Sequence, residues 1–492
     1  DQFVQHNPVN LGPNWASAQE VALRLLPVLF AWHSLQGFSS TTPERDDQVR
    51  RLVEQSPRRI TVTLDYARSQ HNNHLLSEAL GLIIAGTFLK GHHPRAGQWT
   101  KLGLREFEKA LLDQIDPDGS YSQHSTNYHR MVLQLALIYF VYAQYAQYAI
   151  DREVLEKLAA ATRWLGALTD PVSGKTPNLG HNDGTLLLPF GASSYADARP
   201  TVQAASLAFL HYPAFPPGDW DALALTLGIA LEATRNTLKA GAREIAGLPR
   251  VGNDHTWGTL RAVQFHSRPA HADQLSVDLW WEGNNIALDA GSYLYNAMPP
   301  WENSLAATGV HNTISIDGHD QMQRVGKFLW LDRVDARTLP ALDSNSRSAS
   351  IVWHTYPRIR HTRSMTFCPG RGFRIVDELT PLRRLPRPLQ ADLQWLLPDW
   401  AFVRRQNGLL LSRSGHEIDL QIEVVTEAGT PLVPQYSLIR AGETLFGDIT
   451  SPIRGWFSPT YGCKQPALSL MVRTRLQTGL RFTTTWNLRP LH

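Results

Sequence analysis

Residues 118–130 read DGSYSQHSTNYHR and run directly into the apolar stretch MVLQLALIYFVYAQ. Asp118 and Gly119 predict a turn, and the apolar stretch predicts a helix whose first turns lie within the motif. His124 and Tyr128 are four residues apart, so on a helix they would share a face. An imidazole and a phenol together could transfer protons, although Tyr128 could equally be a hydrogen-bonded tyrosine of the core.

Length and composition indicate a globular protein. The chain of 492 residues is long enough for at least two domains, with 43% hydrophobic and 18% charged residues. Its net charge of +3 mildly favours an anionic partner, and no block of Lys or Arg indicates a nucleic acid partner. No apolar run reaches the roughly 18 residues of a membrane span.

The cysteines and the start of the chain give two further expectations. Cys368 and Cys463 form neither a disulfide framework nor a CxxC site, and two free buried thiols are favoured over one disulfide. The chain begins at Asp1 without an initiator Met or a signal peptide. We therefore expect that an upstream segment, such as a leader, was removed or left out, and that the protein is periplasmic or secreted.

Apolar periodicity divides the chain into two parts. Residues 15–240 hold segments such as HLLSEALGLIIAGTFL, VLEKLAAATRWLGAL and ALALTLGIALEATRNTL with apolar residues at helical spacing. After residues 241–258, short β-rich runs such as LSVDLWW, FRIVDEL and LRFTTTWNL follow without intervening helices. The pattern predicts a helical domain over residues 1–245 and an antiparallel β-sandwich over residues 246–492.

A second polar motif, HNNHLLSEALG at residues 71–81, opens another predicted helix. His74 and Glu78 lie one helical turn apart, so the carboxylate could orient the imidazole. Asn72 and Asn73 suit a helix start only if they cap it or bind something. The alternative is an ordinary Asn cap followed by a surface His–Glu pair.

Two further stretches carry potential ligands. Residues 269–322 place His271, Asp273, Asp289 and His311 beside predicted strands, and these residue types bind metals, although spacing alone does not prove a site. PNLGHNDG at residues 177–184 clusters polar side chains in a predicted loop, which suits hydroxyl or carboxylate recognition or an ordinary Asx-turn. The polar residues of this loop are Asn178, His181, Asn182 and Asp183.

Together these stretches resemble the heparinase II/III superfamily of polysaccharide lyases. The resemblance rests on NPVNLGPNWASAQEVALR near the start, NNHLLSEALGL, DGSYSQHSTNYHR, HADQLSVDLWWEGNNIALDAGSYLYN and HNTISIDGHDQ, in that order over about residues 7–320. It implies an (α/α) toroid followed by an antiparallel β-sandwich. Family members usually have more helical chain before the NW motif, so we expect either an incomplete toroid or a sequence that lacks helices at its start.

The resemblance also implies a reaction, the β-elimination of a uronic acid, and residue roles for it. Asn73 matches the residue that neutralises the substrate carboxylate, and His74 matches the base, mainly for one C5 epimer. Tyr128 matches the acid, which is also the base in syn elimination, and Tyr295 is a looser match to a second catalytic tyrosine. The remaining residues expected to bind substrate are His124, Asn127, Arg130, Asn178, His181, Asn182, Asp183 and Arg268.

For the metal, the resemblance implies His271, Asp289 and His311 as ligands of a mainly structural divalent ion, zinc or alternatively manganese. The family commonly has HxH at the first of these positions, and here Pro269 replaces the first His. Neutralisation of the carboxylate is therefore expected to depend more on Asn73, with three possible substitutes, which are His124, His266 and Arg268.

The expected function is that of a polysaccharide lyase acting on a glycosaminoglycan such as heparan sulfate, hyaluronan or chondroitin. Alginate is the second expected substrate. Two alternatives remain, a toroid glycoside hydrolase using Glu78 and Asp183, and a non-catalytic polysaccharide-binding protein. We expect Tyr128 to lie near His74 in a cleft between the two domains, with Arg130 helping to lower the pKa of Tyr128.

Overall fold

The computed structural model describes residues 2–231, 247–353 and 358–490. Its first part is helical and its second part is built of antiparallel strands, as predicted. The helices are α1 Gln2–His6, α2 Ala18–Ser34, α3 Pro43–Gln70, α4 Asn73–Phe88, α5 Ala96–Gln114, α6 Thr126–Tyr145, α7 Arg152–Leu168, α8 Arg199–Phe209 and α9 Ala222–Thr226.

Helix α4 lies at the centre of the helical domain, in contact with α2, α3, α5 and α6. Nearly all of its residues are buried, as expected for a helix that is apolar on every side. It begins abruptly, because His71 ends α3 in the left-handed conformation with φ 50° and Asn72 caps α4. The Asn72 side chain accepts a hydrogen bond from the backbone N–H of His74, which places Asn73 and His74 in the first turn.

Helix α6 begins inside the motif that opened the sequence. A turn at Gly119 precedes it, and the hydroxyl of Ser125 caps it by accepting from the backbone N–H of Tyr128 at 3.1 Å. His124 lies before this cap with φ 50°. The turn and the helix are therefore confirmed, whereas the expectation that His124 and Tyr128 share a helix face is wrong, because His124 is not part of the helix.

Two other helix predictions need correction. Helix α3, 28 residues long, was not predicted, because polar residues and Pro57 interrupt its buried stripe. The predicted segment ALALTLGIALEATRNTL is helical only over Ala222–Thr226 among its described residues, and its remainder after residue 231 lies outside them. The predicted domain boundary at residues 245 and 246 lies in the same undescribed segment.

The strands of the β domain are all paired antiparallel. They are β1 Arg250–Gly252, β2 Thr256–Leu260, β3 Val277–Trp281, β4 Asn284–Ala287, β5 Ile314–Ile316, β6 Gln323–Gly326, β7 Leu329–Leu331, β8 Arg337–Leu339, β9 Ser346–Val352, β10 Ile359–Cys368, β11 Gly372–Pro381, β12 Leu389–Pro398, β13 Ala401–Arg405, β14 Gly408–Arg413, β15 His416–Thr426, β16 Pro431–Leu432, β17 Gln435–Arg440, β18 Glu443–Phe446, β19 Trp456–Thr460, β20 Cys463–Leu476 and β21 Leu480–Pro490.

Two large sheets form the sandwich. One has the order β13-β14-β15-β21-β11-β10-β9-β8, and the other has the order β18-β17-β20-β12-β5. Trp395 on β12 and Trp486 on β21 meet between the sheets with ring centroids 5.2 Å apart. A smaller sheet, β1-β2-β3-β4, and the hairpin β6-β7 complete the domain. Both cysteines are free, but Cys463 is exposed, so the expectation that both thiols are buried is wrong.

The loop between α7 and α8 connects the two domains through hydrogen bonds to the β domain. Asn178 donates a hydrogen bond to the backbone carbonyl of Ser458 at 2.7 Å, and Asn182 donates to that of Pro459 at 3.2 Å. These contacts hold the PNLGHNDG loop against β19 and thereby bring α6 close to the β domain. Among the described residues, no helix is long and apolar enough to cross a lipid bilayer.

Candidate active site

A cleft of about 690 Å³ lies between the helical domain and the β domain. The helical side contributes α2, the junction of α3 and α4, and the start of α6, whereas the β side contributes the segment before β3 and the β6-β7 hairpin. Residues from both domains line it, including Glu20, Asn73, His74, Gln123, Tyr128, Met131, His181, Asp183, His266, Arg268, Pro269, Tyr295 and Phe328.

Asn73 and His74 form one wall of this cleft. Asn73 is 6% exposed, and its backbone N–H donates to Gln123 at 3.1 Å. Within the described residues, its side-chain amide makes one hydrogen bond, to the sulfur of Met131 at 3.4 Å. A thioether is a weak acceptor, so the amide remains available to a stronger one. Burial lowers the pKa of His74 against the opposing effect of Glu20, so the imidazole is neutral at neutral pH.

Tyr128, Asp183 and Tyr295 form a second group in this cleft. The Tyr128 hydroxyl donates to Asp183 Oδ2 at 3.0 Å. Burial, together with Tyr295 and Asp183, raises the pKa of Tyr128 well above its usual value, and burial likewise raises the pKa of Tyr295. Both phenols are therefore protonated at neutral pH. The expected lowering of the Tyr128 pKa by Arg130 is wrong, because burial and the neighbouring acidic groups act in the other direction.

Three further predicted residues also lie in the cleft. His181 packs edge-on against Tyr295 and Phe328, with ring centroids 5.4 and 5.2 Å apart. Arg268 reaches from the β domain across to the end of α3, where it donates to the Gln70 side chain at 3.1 Å. Pro269 and His266 line the same cleft, and the expectation that His266 or Arg268 substitutes for the missing histidine stays a prediction.

The structure does not bring the other predicted substrate-binding residues onto this cleft. His124 lines a separate cavity, packs against Phe265, and has its pKa lowered to about 3 by burial. The remaining four line a third cavity on the other side of the PNLGHNDG loop; they are Asn127, Arg130, Asn178 and Asn182. Their side chains largely contact one another, Tyr195 and β19.

Glu78 does not orient His74. It is 2% exposed inside α4, and no hydrogen bond or ion pair joins the two side chains in the described part of the chain. Burial raises the pKa of Glu78 to about 8, opposed by Arg59. The predicted pairing of the two residues is therefore wrong, because Glu78, one turn further into α4, is already enclosed by the core.

A buried cluster of potential metal ligands lies in the β domain. One ligand atom from each of His271, Asp273, Asp289 and His311 falls within 4.8 Å of the others. Asp289 Oδ2 lies 3.4 Å from His311 Nδ1, and Asp273 also pairs with Arg261 at 2.8 Å. Both ring nitrogens of His311 and Nδ1 of His271 are buried without a hydrogen bond to any of the described residues.

These orphaned nitrogens and the carboxylates suit a divalent cation, so the cluster could hold a metal ion. Asp273 joins the three ligands that the resemblance implied. The spacing of these four residues in the sequence did not predict the site, because the fold alone brings residues 271–273, 289 and 311 together.

Sequence reasoning missed three cleft residues. Gln123 accepts a hydrogen bond from the backbone N–H of Asn73. The charge of Glu20 partly offsets the lowering of the His74 pKa by burial. Phe328 packs on both His181 and Tyr295. Glu20 belongs to the NWASAQE motif and Gln123 to the motif before α6, so their positions in quoted motifs were available signals. Phe328 lies on a short hairpin and carried no signal.

Comparisons with known proteins identify the family of the chain. The family model described as Heparinase II/III N-terminus matches residues 16–161, and the one described as Heparinase II/III-like, C-terminal matches residues 242–486. A heparin-sulfate lyase of Bacteroides stercoris is 25% identical over 328 residues, which cover 63% of this chain and 44% of that protein. The chain thus spans less than half the length of this curated relative.

Solved structures share the fold. The crystal structure of heparinase III superposes with a TM-score of 0.72 at 16% identity, covering 100% of this chain and 72% of that one. Heparan sulfate lyase HepC from Pedobacter heparinus gives a TM-score of 0.61 at 16% identity, with the same coverage. The predicted architecture of an (α/α) toroid followed by a β-sandwich is confirmed, and with both family models matched the chain belongs to the heparinase II/III superfamily.

Proposed function

We propose that this chain is a polysaccharide lyase that cleaves a uronic-acid-containing glycosaminoglycan by β-elimination and leaves a 4,5-unsaturated uronate end. The observation that carries the proposal is the convergence of Asn73, His74, Tyr128 and Tyr295, from two domains, on one cleft. The heparin-sulfate lyase among its relatives supports the same chemistry. Since a long anionic polymer does not cross a membrane unaided, this substrate favours a periplasmic or secreted location.

The proposed reaction makes three demands on the cleft. The C5 proton becomes acidic only if the substrate carboxylate is neutralised, and the side-chain amide of Asn73 is a donor for it. A base must take the proton, and the neutral imidazole of His74 suits this role. An acid must protonate the leaving O4, and the protonated phenol of Tyr128 suits that one, with Tyr295 beside it.

His74→Gln is expected to lower kcat by about 10²-fold on polymers whose C5 proton and O4 lie on opposite faces of the ring. The wild-type kcat/KM on these polymers should fall only as pH drops below about 6.5, the ordinary histidine pKa, because burial lowers the pKa of His74. A pH–rate profile measures both effects. An acidic limb above this pH would contradict the assignment of His74 as the base.

The decisive test of the function is ultraviolet absorbance of the unsaturated uronate on heparan sulfate, hyaluronan, chondroitin and alginate. A rise in absorbance on alginate alone would show that alginate, the second expected substrate, is the one cleaved. No rise on any polymer would refute the lyase proposal, and saturated products would instead indicate a hydrolase. Binding without turnover, unchanged in Tyr128→Phe, would indicate a non-catalytic binding protein.

The hydrolase alternative has little support in the geometry. A hydrolase needs two carboxyl groups flanking the glycosidic bond. Asp183 lines the cleft, but Glu78 is buried within α4 and does not line it. The pair proposed for hydrolysis therefore does not face a common space.

For the metal we propose zinc, with manganese as the alternative, in a mainly structural role. The donors His271, Asp273, Asp289 and His311 all belong to the β domain, whereas Asn73, His74 and Tyr128 come from helices. A bound ion would supply positive charge that holds these buried donors together. The segment that carries His271 also carries Arg268 and Pro269, so the ligands would fix this part of the cleft wall.

The wild type is expected to bind about one equivalent of metal. His311→Ala should reduce this metal content and lower Tm by several degrees, because metal binding is coupled to folding. Elemental analysis and thermal unfolding measure these effects. His319→Ala, at an exposed position nearby, is the matched control and should change neither. If metal content and Tm are the same in wild type and His311→Ala, the structural role is wrong.

A further inference from the structure

The carboxylate of Asp183 is held in one orientation. Its Oδ1 accepts three hydrogen bonds, from the Asn127 side chain at 3.3 Å, the Thr185 backbone at 3.0 Å and the Thr185 hydroxyl at 2.5 Å. Its Oδ2 accepts one hydrogen bond, from the Tyr128 hydroxyl at 3.0 Å. The three donors thus fix the group so that its other oxygen faces the phenol.

No cation neutralises this carboxylate in the described part of the chain. Arg130, which is close in sequence to Tyr128, donates to Tyr195, Asn127 and Thr185, and Arg268 donates to Gln70. Asp183 forms no ion pair among the described residues. An unpaired carboxylate in contact with a phenol is a good acceptor for the proton of that phenol.

Syn elimination poses a problem that this contact solves. Tyr128 would have to accept the C5 proton, yet burial and Asp183 raise its pKa, so a phenolate does not form in the resting site. A phenol that already carries a proton can accept another only if it passes the first one on. The bound proton points at Asp183.

We propose, on the basis of the lyase function proposed above, that Asp183 is the proton acceptor that allows Tyr128 to act as a base. As the C5–H bond breaks, its proton passes to Tyr128 Oη while the Tyr128 proton passes to Asp183 Oδ2. The C5–H electron pair becomes the C4=C5 double bond, and the C4–O4 bond breaks with its pair on O4. Tyr128 then protonates O4, and Asp183 returns its proton to Tyr128.

This relay is needed for only one class of uronate. In glucuronate the C5 proton and O4 lie on the same face of the ring, so Tyr128 must both accept and donate. In iduronate they lie on opposite faces, so His74 accepts the proton and Tyr128 only donates one. Mannuronate and guluronate form the corresponding pair in alginate.

Asp183→Asn distinguishes the two roles of Tyr128, which are to accept the C5 proton and to donate a proton to O4. With three donors on one oxygen, the new amide group should turn its NH₂ toward Tyr128, which can still donate its proton but can no longer pass it to residue 183. We expect kcat to fall by about 10²-fold on glucuronate-rich polymer and by less than about threefold on iduronate-rich polymer. Asp113→Asn, at an exposed position on α5, is the matched control and should leave both rates unchanged.

A double mutant gives a second readout. On glucuronate-rich polymer, Asp183→Asn combined with Tyr128→Phe should be no slower than Tyr128→Phe alone, because both changes interrupt one proton path. If the wild type cleaves only glucuronate-rich polymer, this non-additivity decides the matter, and additive losses would overturn the relay.

Other outcomes also decide between the proposals. Unchanged activity in Asp183→Asn, or equal losses on both polymers, would overturn the relay while leaving the lyase function in place. A wild-type enzyme that cleaves only iduronate-rich polymer would overturn it too, since Tyr128 would never be the base. Absence of unsaturated product from every polymer would instead refute the lyase function itself.

Discussion

Tyr128→Phe is expected to lower kcat by at least about 10²-fold on every polymer that the wild type cleaves, with the fold and substrate binding retained. The change keeps the ring and removes only the hydroxyl. That hydroxyl faces the cleft and contacts Asp183, and it is the proposed donor to the leaving O4 in both syn and anti elimination. Initial rates of unsaturated product and thermal unfolding measure the two parts of the prediction.

Tyr139→Phe provides the matched control on the same helix. Tyr139 is fully buried, and its hydroxyl donates to Glu108 at 2.6 Å away from the cleft. Its replacement should lower stability by about 1 kcal/mol and leave activity near normal, as for any core tyrosine that loses a hydrogen bond. If Tyr128→Phe behaves in this way instead, Tyr128 is structural and most of the proposed mechanism falls with it.

The fold could be predicted where apolar periodicity was strong. Helices α4 and α6 have long apolar runs that begin beside cap residues, and both lie where the sequence placed them. Helix α3 failed the same criterion, because its buried stripe includes Ser56 and Pro57 and its other faces are highly charged. Its burial depends on packing against α2 and α4, and such tertiary contacts do not appear as a periodic pattern.

The site could be predicted less completely, because side-chain direction depends on helix phase. Tyr128 and Met131, three residues apart, line the cleft, whereas Asn127 and Arg130, also three apart, line the cavity on the other side. Motif membership grouped Asn127, Tyr128 and Arg130 as site residues, although helical spacing separates Tyr128 from the other two. His124 lies before the helix, so helical spacing could not predict the direction of its side chain.

The metal cluster shows a different limit. Its ligands come from separate segments of the β domain, with Asp289 just after β4 and His311 just before β5. The fold of the β domain brings them together, and no local spacing in the sequence records it. Residue type marked all four as potential ligands in advance, and the resemblance to a family singled out three of them, but the spacing did not show that they meet.

Asn73→Ala is expected to lower kcat by about 10² to 10³-fold, the usual effect of removing one donor that stabilises a developing negative charge. In the part of the chain that the structure describes, its amide donates to the sulfur of Met131 and to no stronger acceptor, so a substrate carboxylate would supply one. Charge on that carboxylate grows as the C5 proton leaves, so the loss should fall on kcat more than on KM.

Asn73→Asp tests the same point with a side chain of equal size. It should be at least as slow as Asn73→Ala, because a carboxylate in this buried position would repel the substrate anion instead of donating to it. Asn407→Asp, in an exposed turn between β13 and β14, adds the same charge outside the cleft and should leave kcat unchanged. A purely structural Asn73 would give the opposite pattern, with Tm lowered in both variants and the kcat of the folded enzyme near normal. Since the backbone N–H of residue 73 still reaches Gln123 in either variant, the start of α4 should persist, and a loss of activity would report on the side-chain amide.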